Sequence, residues 1–260
     1  MAYQKDGEGI AMPRKPRRLL DTGYYHIVLK GSGNQILFES EGDYRKFLSY
    51  LYEFAARHKL QLIAWCLMSN HVHLVVLDTA QALSSCIHDL ATAYAVHFNR
   101  CNGHSGPVFD GRFHSVLIES DEQFLSAVRY VHDNPQRASI CSASDYPWSS
   151  YGEYLHPESS LVKTDVLFDL IGGKERYEAF LSDDSYGTYV FRGTSRLKDE
   201  DAIIVAKQLL GSDELSKLRS LPTEHRAHGL QLLRDAGLTL KQVERVTGIG
   251  RGIISRYTHA

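Results

Sequence analysis

The sequence has no run of about 18 consecutive apolar residues, so nothing in it reads as a membrane-crossing helix. Its first residues, Met1-Ala2-Tyr3-Gln4-Lys5-Asp6-Gly7-Glu8, lack the apolar stretch of a secretory signal. A cytoplasmic location without a membrane partner is therefore expected. Cysteine is scarce: Cys66, Cys86, Cys101 and Cys141 are scattered, with no C-x-x-C pair. That spacing argues against a disulfide framework or a cysteine-based zinc site and leaves reduced thiols as the expectation. Neither sign of charge dominates. A net charge of −2 argues against a protein that coats nucleic acid indiscriminately. No internal repeat and no low-complexity tract interrupts the chain.

What is present is an ordinary globular composition, 43% hydrophobic over 260 residues, enough for one larger and one smaller domain. Charge is concentrated locally. Arg14, Lys15, Arg17 and Arg18 crowd just ahead of the first strand, either as a solvated arm or as phosphate contacts.

The hydrophobic period changes along the chain in a regular way. Tyr24 to Leu29 alternates as a strand and ends at Gly31-Ser32-Gly33-Asn34. Phe47, Leu48, Leu51, Phe54 and Ala55 recur at helical spacing between Asp43 and Arg57. Gln61 to Met68 and His71 to Leu77 are two strands joined by the short Ser69-Asn70 turn. Leu83, Ile87, Leu90, Ala91, Tyr94 and Phe98 outline a long helix closed near Asn102-Gly103. A strand around Arg112 to Ile118 follows, and then a helix from about Asp121 that is expected to stop at Pro135. The order β-α-β-β-α-β plus a helix gives an α+β class: a ferredoxin-like, split βαβ antiparallel sheet with helices on one face. This plan hosts many functions, so activity has to come from the site. Four regions are expected: a flexible basic arm (1–22), a catalytic domain (23–155), a connector (156–198) and a C-terminal helical domain (199–260).

The candidate site begins with Asn70-His71-Val72-His73. On a strand, residues two apart share a face, so His71 and His73 project side by side, where two neutral imidazoles can converge on one divalent cation. The same pattern fits two partly exposed strand histidines bonded to their neighbours. The helix ending Arg129-Tyr130-Val131-His132-Asp133-Asn134-Pro135 puts Tyr130 and Asn134 at i and i+4, on one helix face. A tyrosine hydroxyl, with its pKa near 10, is a poor nucleophile at neutral pH. A nearby cation can position a phosphate for in-line attack and stabilise the leaving group, and the displacement then proceeds through a covalent phosphotyrosine. Asn134 is the best third metal ligand, although an Asn-Pro pair also reads as a helix-ending turn. His26, on the first strand, suits a structural or DNA-contacting role better than metal binding. Arg112 and His114 are either phosphate contacts or a solvated sheet edge.

Several ordered blocks carry a family resemblance: Tyr25-His26-Ile27-Val28 with Lys30-Gly31; Leu67-Met68-Ser69-Asn70-His71-Val72-His73-Leu74; Tyr94 to Arg100; Gly106 to Phe113; Arg129 to Pro135; and Tyr146-Pro147-Trp148-Ser149-Ser150-Tyr151. Over Met12 to Tyr151 the chain resembles the REP-associated tyrosine transposases, relatives of the single-tyrosine insertion-sequence transposases. The resemblance implies the HUH nuclease fold, a divalent metal (Mg²⁺ or Mn²⁺), cleavage of single-stranded DNA, and a 5′-phosphotyrosine intermediate with Tyr130 as nucleophile. Three positions depart from the pattern: Ser69 where proline is common, Lys30 for a frequent arginine, and Gln136 for a frequent valine. None is a proposed catalytic atom, but Lys30 and its loop bear on which DNA sequence is read.

Near the C-terminus, Leu238 to Tyr257 has the shape of a helix-turn-helix. Thr239 caps its first helix, Gly248 suits the turn, and Val243, Val246, Ile249 and Ile254 form a small core. Arg251, Ser255, Arg256 and Tyr257 are then offered outward, either to duplex DNA or as the polar face of a plain packing unit.

These readings combine into a metal-dependent transposase or nickase that cleaves and rejoins single-stranded or hairpin-forming repeat DNA, acting as a monomer or homodimer. The alternative is a regulator that binds DNA hairpins without cutting them; a role in RNA processing is the third.

Overall fold

The computed structural model describes residues 23–183, 189, 199–212 and 214–258. The arm with Arg14, Lys15, Arg17 and Arg18 lies outside the described residues.

Four strands, β1 (Tyr24–Lys30), β2 (Gln61–Met68), β3 (His71–Leu77) and β4 (His114–Leu117), form one sheet in the order β2-β3-β1-β4. All its pairings are antiparallel. Helices α1 (Glu41–His58) and α2 (Leu83–Asn102) are the two crossovers of the split βαβ plan. They pack against each other through Phe47 and Tyr94, whose rings are 5.1 Å apart. Ser40 starts α1 with a capping box: its hydroxyl accepts from Asp43 N, and the Asp43 carboxylate accepts from Ser40 N at 2.8 Å. Gly103, at φ 58°, ends α2 in the left-handed region, and its N–H donates to the Asn99 carbonyl.

Register decides which side chains share a face. Val28 pairs with His73 on one side and with His114 on the other, and Lys30 pairs with His71. His26 pairs with Val75 and Val116. This face of the sheet therefore carries Lys30, Val28, His26, His71, His73 and His114. The alternate residues Ile27, Leu29, Val72 and Leu74 are buried on the opposite face, where Leu29 meets Ile87 and Ala91 of α2 around a shared cavity.

The two crossover helices thus cover one face, as the split βαβ order implies. Helix α3 (Asp121–Arg137), which follows that unit, covers the other, with Phe124 packed edge-on to Tyr24 at 5.1 Å. Ser120 caps it, accepting from Gln123 N at 3.1 Å. The expectation that this helix stops at Pro135 is corrected: it runs through Pro135 to Arg137. A proline costs a helix one N–H donor and crowds the carbonyl four residues back. Here that cost is borne by a well-buried amphipathic helix, and the Asn134 amide nitrogen adds a 2.7 Å bond to the carbonyl of Tyr130.

After α3, Ser149 bridges to Cys66 on the outer edge of β2, and Leu67 N donates to the Trp148 carbonyl at 2.9 Å. Short helices α4 (Tyr151–Leu155), α5 (Asp165–Ile171) and α6 (Tyr177–Ser182) follow. Val162, Leu167, Ile171, Tyr177, Phe180 and Tyr189 join the same hydrophobic core as the sheet. A second core gathers helices α7 (Asp199–Leu210), α8 (Thr223–Asp235), α9 (Leu240–Thr247) and α10 (Arg251–Tyr257) around Leu230, Leu233, Val243 and Ile254.

Candidate active site

His71 and His73 stand side by side on β3, with ring centroids 5.0 Å apart and planes at 84°. Each is held at its Nδ1. His71 Nδ1 lies 2.7 Å from Asn70 Oδ1, and His73 Nδ1 lies 3.0 Å from His26 Nε2. In both rings Nε2 is then the nitrogen suited to a metal, because a ligating imidazole usually carries its proton on the other nitrogen and donates it to an outer partner. The donor set fits a divalent cation on that account. Among the described residues no group of three His, Cys, Asp or Glu side chains gathers in metal-binding range. The two imidazoles would need Asn134, phosphate oxygens or water to complete a shell.

Helix α3 carries Tyr130 over this face. Its ring centroid is 5.4 Å from His73 and 5.7 Å from His26. Asn134, one turn later, is buried, and the bond to Tyr130's carbonyl uses its amide nitrogen. The amide oxygen is the atom with ligand chemistry. Arg137 lies on the same helix face at i+7, its guanidinium carbon 4.9 Å from the centre of the Tyr130 ring. A cation over a phenol ring favours negative charge on that ring and can also meet a phosphate. The residue went unnoticed in the sequence, although its spacing from Tyr130 was the available signal.

His26 is fully buried and occupies the middle of the site. Its Nε2 meets His73 and its Nδ1 lies 3.1 Å from the hydroxyl of Tyr189. Burial pushes the His26 ring down to about 3, so it is neutral at physiological pH. Tyr189 also packs on Tyr130, with centroids 5.4 Å apart. No sequence pattern linked this connector residue to the site.

His132 faces away from the histidine pair into a separate buried cluster. Its Nε2 is 2.8 Å from Ser150 Oγ and its Nδ1 is 2.9 Å from the hydroxyl of Tyr177. Tyr154, stacked on Tyr177 with centroids 4.9 Å apart, donates to the Ile63 carbonyl of β2 at 2.8 Å. The Arg-Tyr-x-His block and the Pro-Trp-Ser-Ser block are therefore joined in space.

The candidate DNA contacts divide into two groups. Lys30, Arg112 and His114 line one cavity of about 760 Å³, together with Phe109 and Phe113. Lys30 stands directly opposite His71 across the β1–β3 pair. His114 is on the same face as His73, two strand spacings away, roughly 10 Å. The cavity itself lies towards α2, with Ser84, Ile87, His88 and Ala91 also in its lining. Arg251 and Arg256 are exposed on α10, in the second core region. Gly248, at φ 69°, makes the left-handed turn after α9, and Thr239 caps that helix by accepting from Gln242 N at 3.2 Å. Arg251 also pairs with Glu244 at 3.0 Å.

Comparison with known proteins gives one family and several similar solved structures. Residues 20–134 match the family described as "Transposase IS200 like". No curated protein matches the chain. A solved structure described as the REP-associated tyrosine transposase bound to a REP hairpin is 15% identical, with a TM-score of 0.46, over 59% of this chain and 92% of that one. A proposed transposase of Deinococcus radiodurans R1 is 16% identical, with a TM-score of 0.34, over 54% of this chain and 99% of that one. The matched segment runs from β1 into α3 and includes His26, His71, His73, Tyr130 and Asn134. Over residues 20–134, somewhat less than half of its length, this chain is similar to the IS200-like transposases.

Proposed function

We propose that the chain is a metal-dependent, single-tyrosine transposase or nickase that cleaves and rejoins single-stranded or hairpin-forming DNA. The observation that carries this reading is Tyr130 facing His73 at 5.4 Å, over a sheet face where His71 and His73 stand side by side, each held at Nδ1. The family of residues 20–134 supports it.

In this reading His71 and His73 hold the cation, with Asn134 as third protein ligand. When bound, Mg²⁺ or Mn²⁺ supplies charge stabilisation at the scissile phosphate and its leaving oxygen. Tyr130 Oη attacks phosphorus and gives up its proton to solvent or to a base on the substrate side. The bond to the 3′ oxygen breaks, and that oxygen takes a proton to become a 3′ hydroxyl. DNA remains linked through its 5′ phosphate to Tyr130, and attack by a 3′ hydroxyl on this phosphotyrosine reverses the chemistry and joins strands. Arg137 helps neutralise the phosphate beside Tyr130. Lys30, Arg112 and His114 guide the strand past β4, with Phe109 and Phe113 offering faces on which unpaired bases stack. The helical pair α9–α10 engages duplex DNA through Arg251 and Arg256.

Labelled hairpin oligonucleotides incubated with Mn²⁺ test this directly. Wild type is expected to form a covalent DNA–protein adduct, and Tyr130→Phe none. An adduct that persists in Tyr130→Phe removes Tyr130 as the nucleophile. Tight binding of a substrate that stays intact would leave the non-cleaving regulator instead.

A further inference from the structure

We infer that Tyr189 is a positioning residue of the metal site: through His26 it fixes which nitrogen of His73 faces the cation. This rests on the proposed metal role of His71 and His73. The supporting geometry is a continuous chain of three side chains, Tyr189 Oη to His26 Nδ1 at 3.1 Å and His26 Nε2 to His73 Nδ1 at 3.0 Å. His26 is wholly buried, His73 is 4% exposed and Tyr189 is 9% exposed, so bulk water does not compete for these bonds.

The direction of the chain follows from proton counting. A neutral imidazole has one N–H and one bare nitrogen. For His73 to ligate through Nε2, its proton sits on Nδ1 and is donated to His26 Nε2. The His26 proton is then on Nδ1 and is donated to the Tyr189 oxygen. Every member therefore has one allowed role, and the phenol at the end is the acceptor that completes it. Reversing one bond would place a proton on His73 Nε2 and block the metal. Outer partners of ligating histidines are commonly carboxylates, carbonyls or water; here the sequence uses a second imidazole and a tyrosine. His26, an ambiguous residue in the sequence, gains a definite task.

The packing of Tyr189 separates this role from a merely filling one. Its ring lies against Tyr130 and His26 at 5.4 Å each, and Tyr189→Phe keeps those contacts while deleting only the hydroxyl. The full chain is titrated with Mn²⁺, following free Mn²⁺ by its paramagnetic resonance signal, alongside thermal unfolding of the metal-free protein. His71→Ala is expected to abolish the site. Tyr189→Phe is expected to weaken Mn²⁺ binding by about threefold to tenfold and His26→Phe by about tenfold to a hundredfold, with the melting temperature of Tyr189→Phe close to wild type. Wild-type affinity in Tyr189→Phe overturns the relay and leaves the metal site standing. If Tyr189→Ala also cleaves hairpin DNA faster than wild type at unchanged Mn²⁺ affinity, Tyr189 acts as an obstacle to substrate and the relay is again overturned. Wild type that binds no Mn²⁺ removes the metal reading and the relay together.

Discussion

His132 Nε2 lies 2.8 Å from Ser150 Oγ, and this bond ties the helix that carries Tyr130 to the strand next to the histidine pair. Ser150 is itself fixed to β2: its hydroxyl accepts from Trp65 N, and its own N–H donates to the Trp65 carbonyl, both at 2.9 Å. Tyr177 closes the cluster from the other side of the imidazole. The position of Tyr130 over His73 is thus braced by buried polar bonds as well as by apolar packing.

Truncating that brace should be costly. His132→Ala leaves the Ser150 and Tyr177 hydroxyls without their buried partner and opens a cavity, so a loss of about 3 kcal/mol is expected. Urea unfolding of the two proteins measures it. A loss below about 1 kcal/mol would mean the cluster is easily repacked.

The same residue gives a pH dependence with a definite sign. Burial pushes the His132 ring down to about 3, from an ordinary value of 6.5. Above pH 6.5 neither the folded nor the unfolded chain binds this proton, and the ring makes no difference. Between 6.5 and 3 only the unfolded chain takes it up, so stability falls as pH falls, approaching about 1.4 kcal/mol per pH unit from this ring. Unfolding free energies measured at pH 7.5, 6.0 and 5.0 should decline, and His132→Gln should decline less steeply by about that amount. Equal slopes in the two proteins would contradict the assignment.

DNA binding should separate into two electrostatic contributions. Lys30→Ala and Arg112→Ala, both lining the cavity between α2 and β4, are expected to weaken hairpin binding and to lower the salt slope by about one each. Binding isotherms across a salt series read both effects. An unchanged slope would place the phosphates elsewhere.

On α10, Arg256→Ala should reduce duplex affinity while leaving adduct formation on a preformed hairpin intact. Arg251→Ala is the companion variant. Its pair with Glu244 is exposed at 64% and 38%, so its removal costs little stability, and a weaker complex can be attributed to DNA contact. Duplex binding that is the same in wild type and both variants would make α9–α10 a packing unit.

Local pattern made most of this architecture legible. The strands His71–Leu77 and Gln61–Met68 begin and end where alternation and the Ser69-Asn70 turn put them. Gly103 and Gly248 stop their helices in left-handed geometry, as their positions suggested. Pro135 misled because local chain chemistry was outweighed by burial of the helix around it. The pair His71 and His73 followed from period two alone. What could not be read was anything that depended on distant segments meeting. The bonds from His132 to Ser150 and from His26 to Tyr189 span 18 and 163 residues, and no periodicity reports such encounters. Likewise, His114 shares a face with His73 only because β1 lies between their strands.

Tyr189 also locates a seam. The side chains that brace α3 and complete the histidine chain arrive after residue 155, at Tyr177 and Tyr189. An exchange of C-terminal modules, in a laboratory or over evolutionary time, would therefore keep these buried bonds only if the crossover falls beyond Tyr189. A fragment ended at 155 would carry His71, His73, Tyr130 and Asn134 and still lack the bonds that Tyr177 and Tyr189 supply.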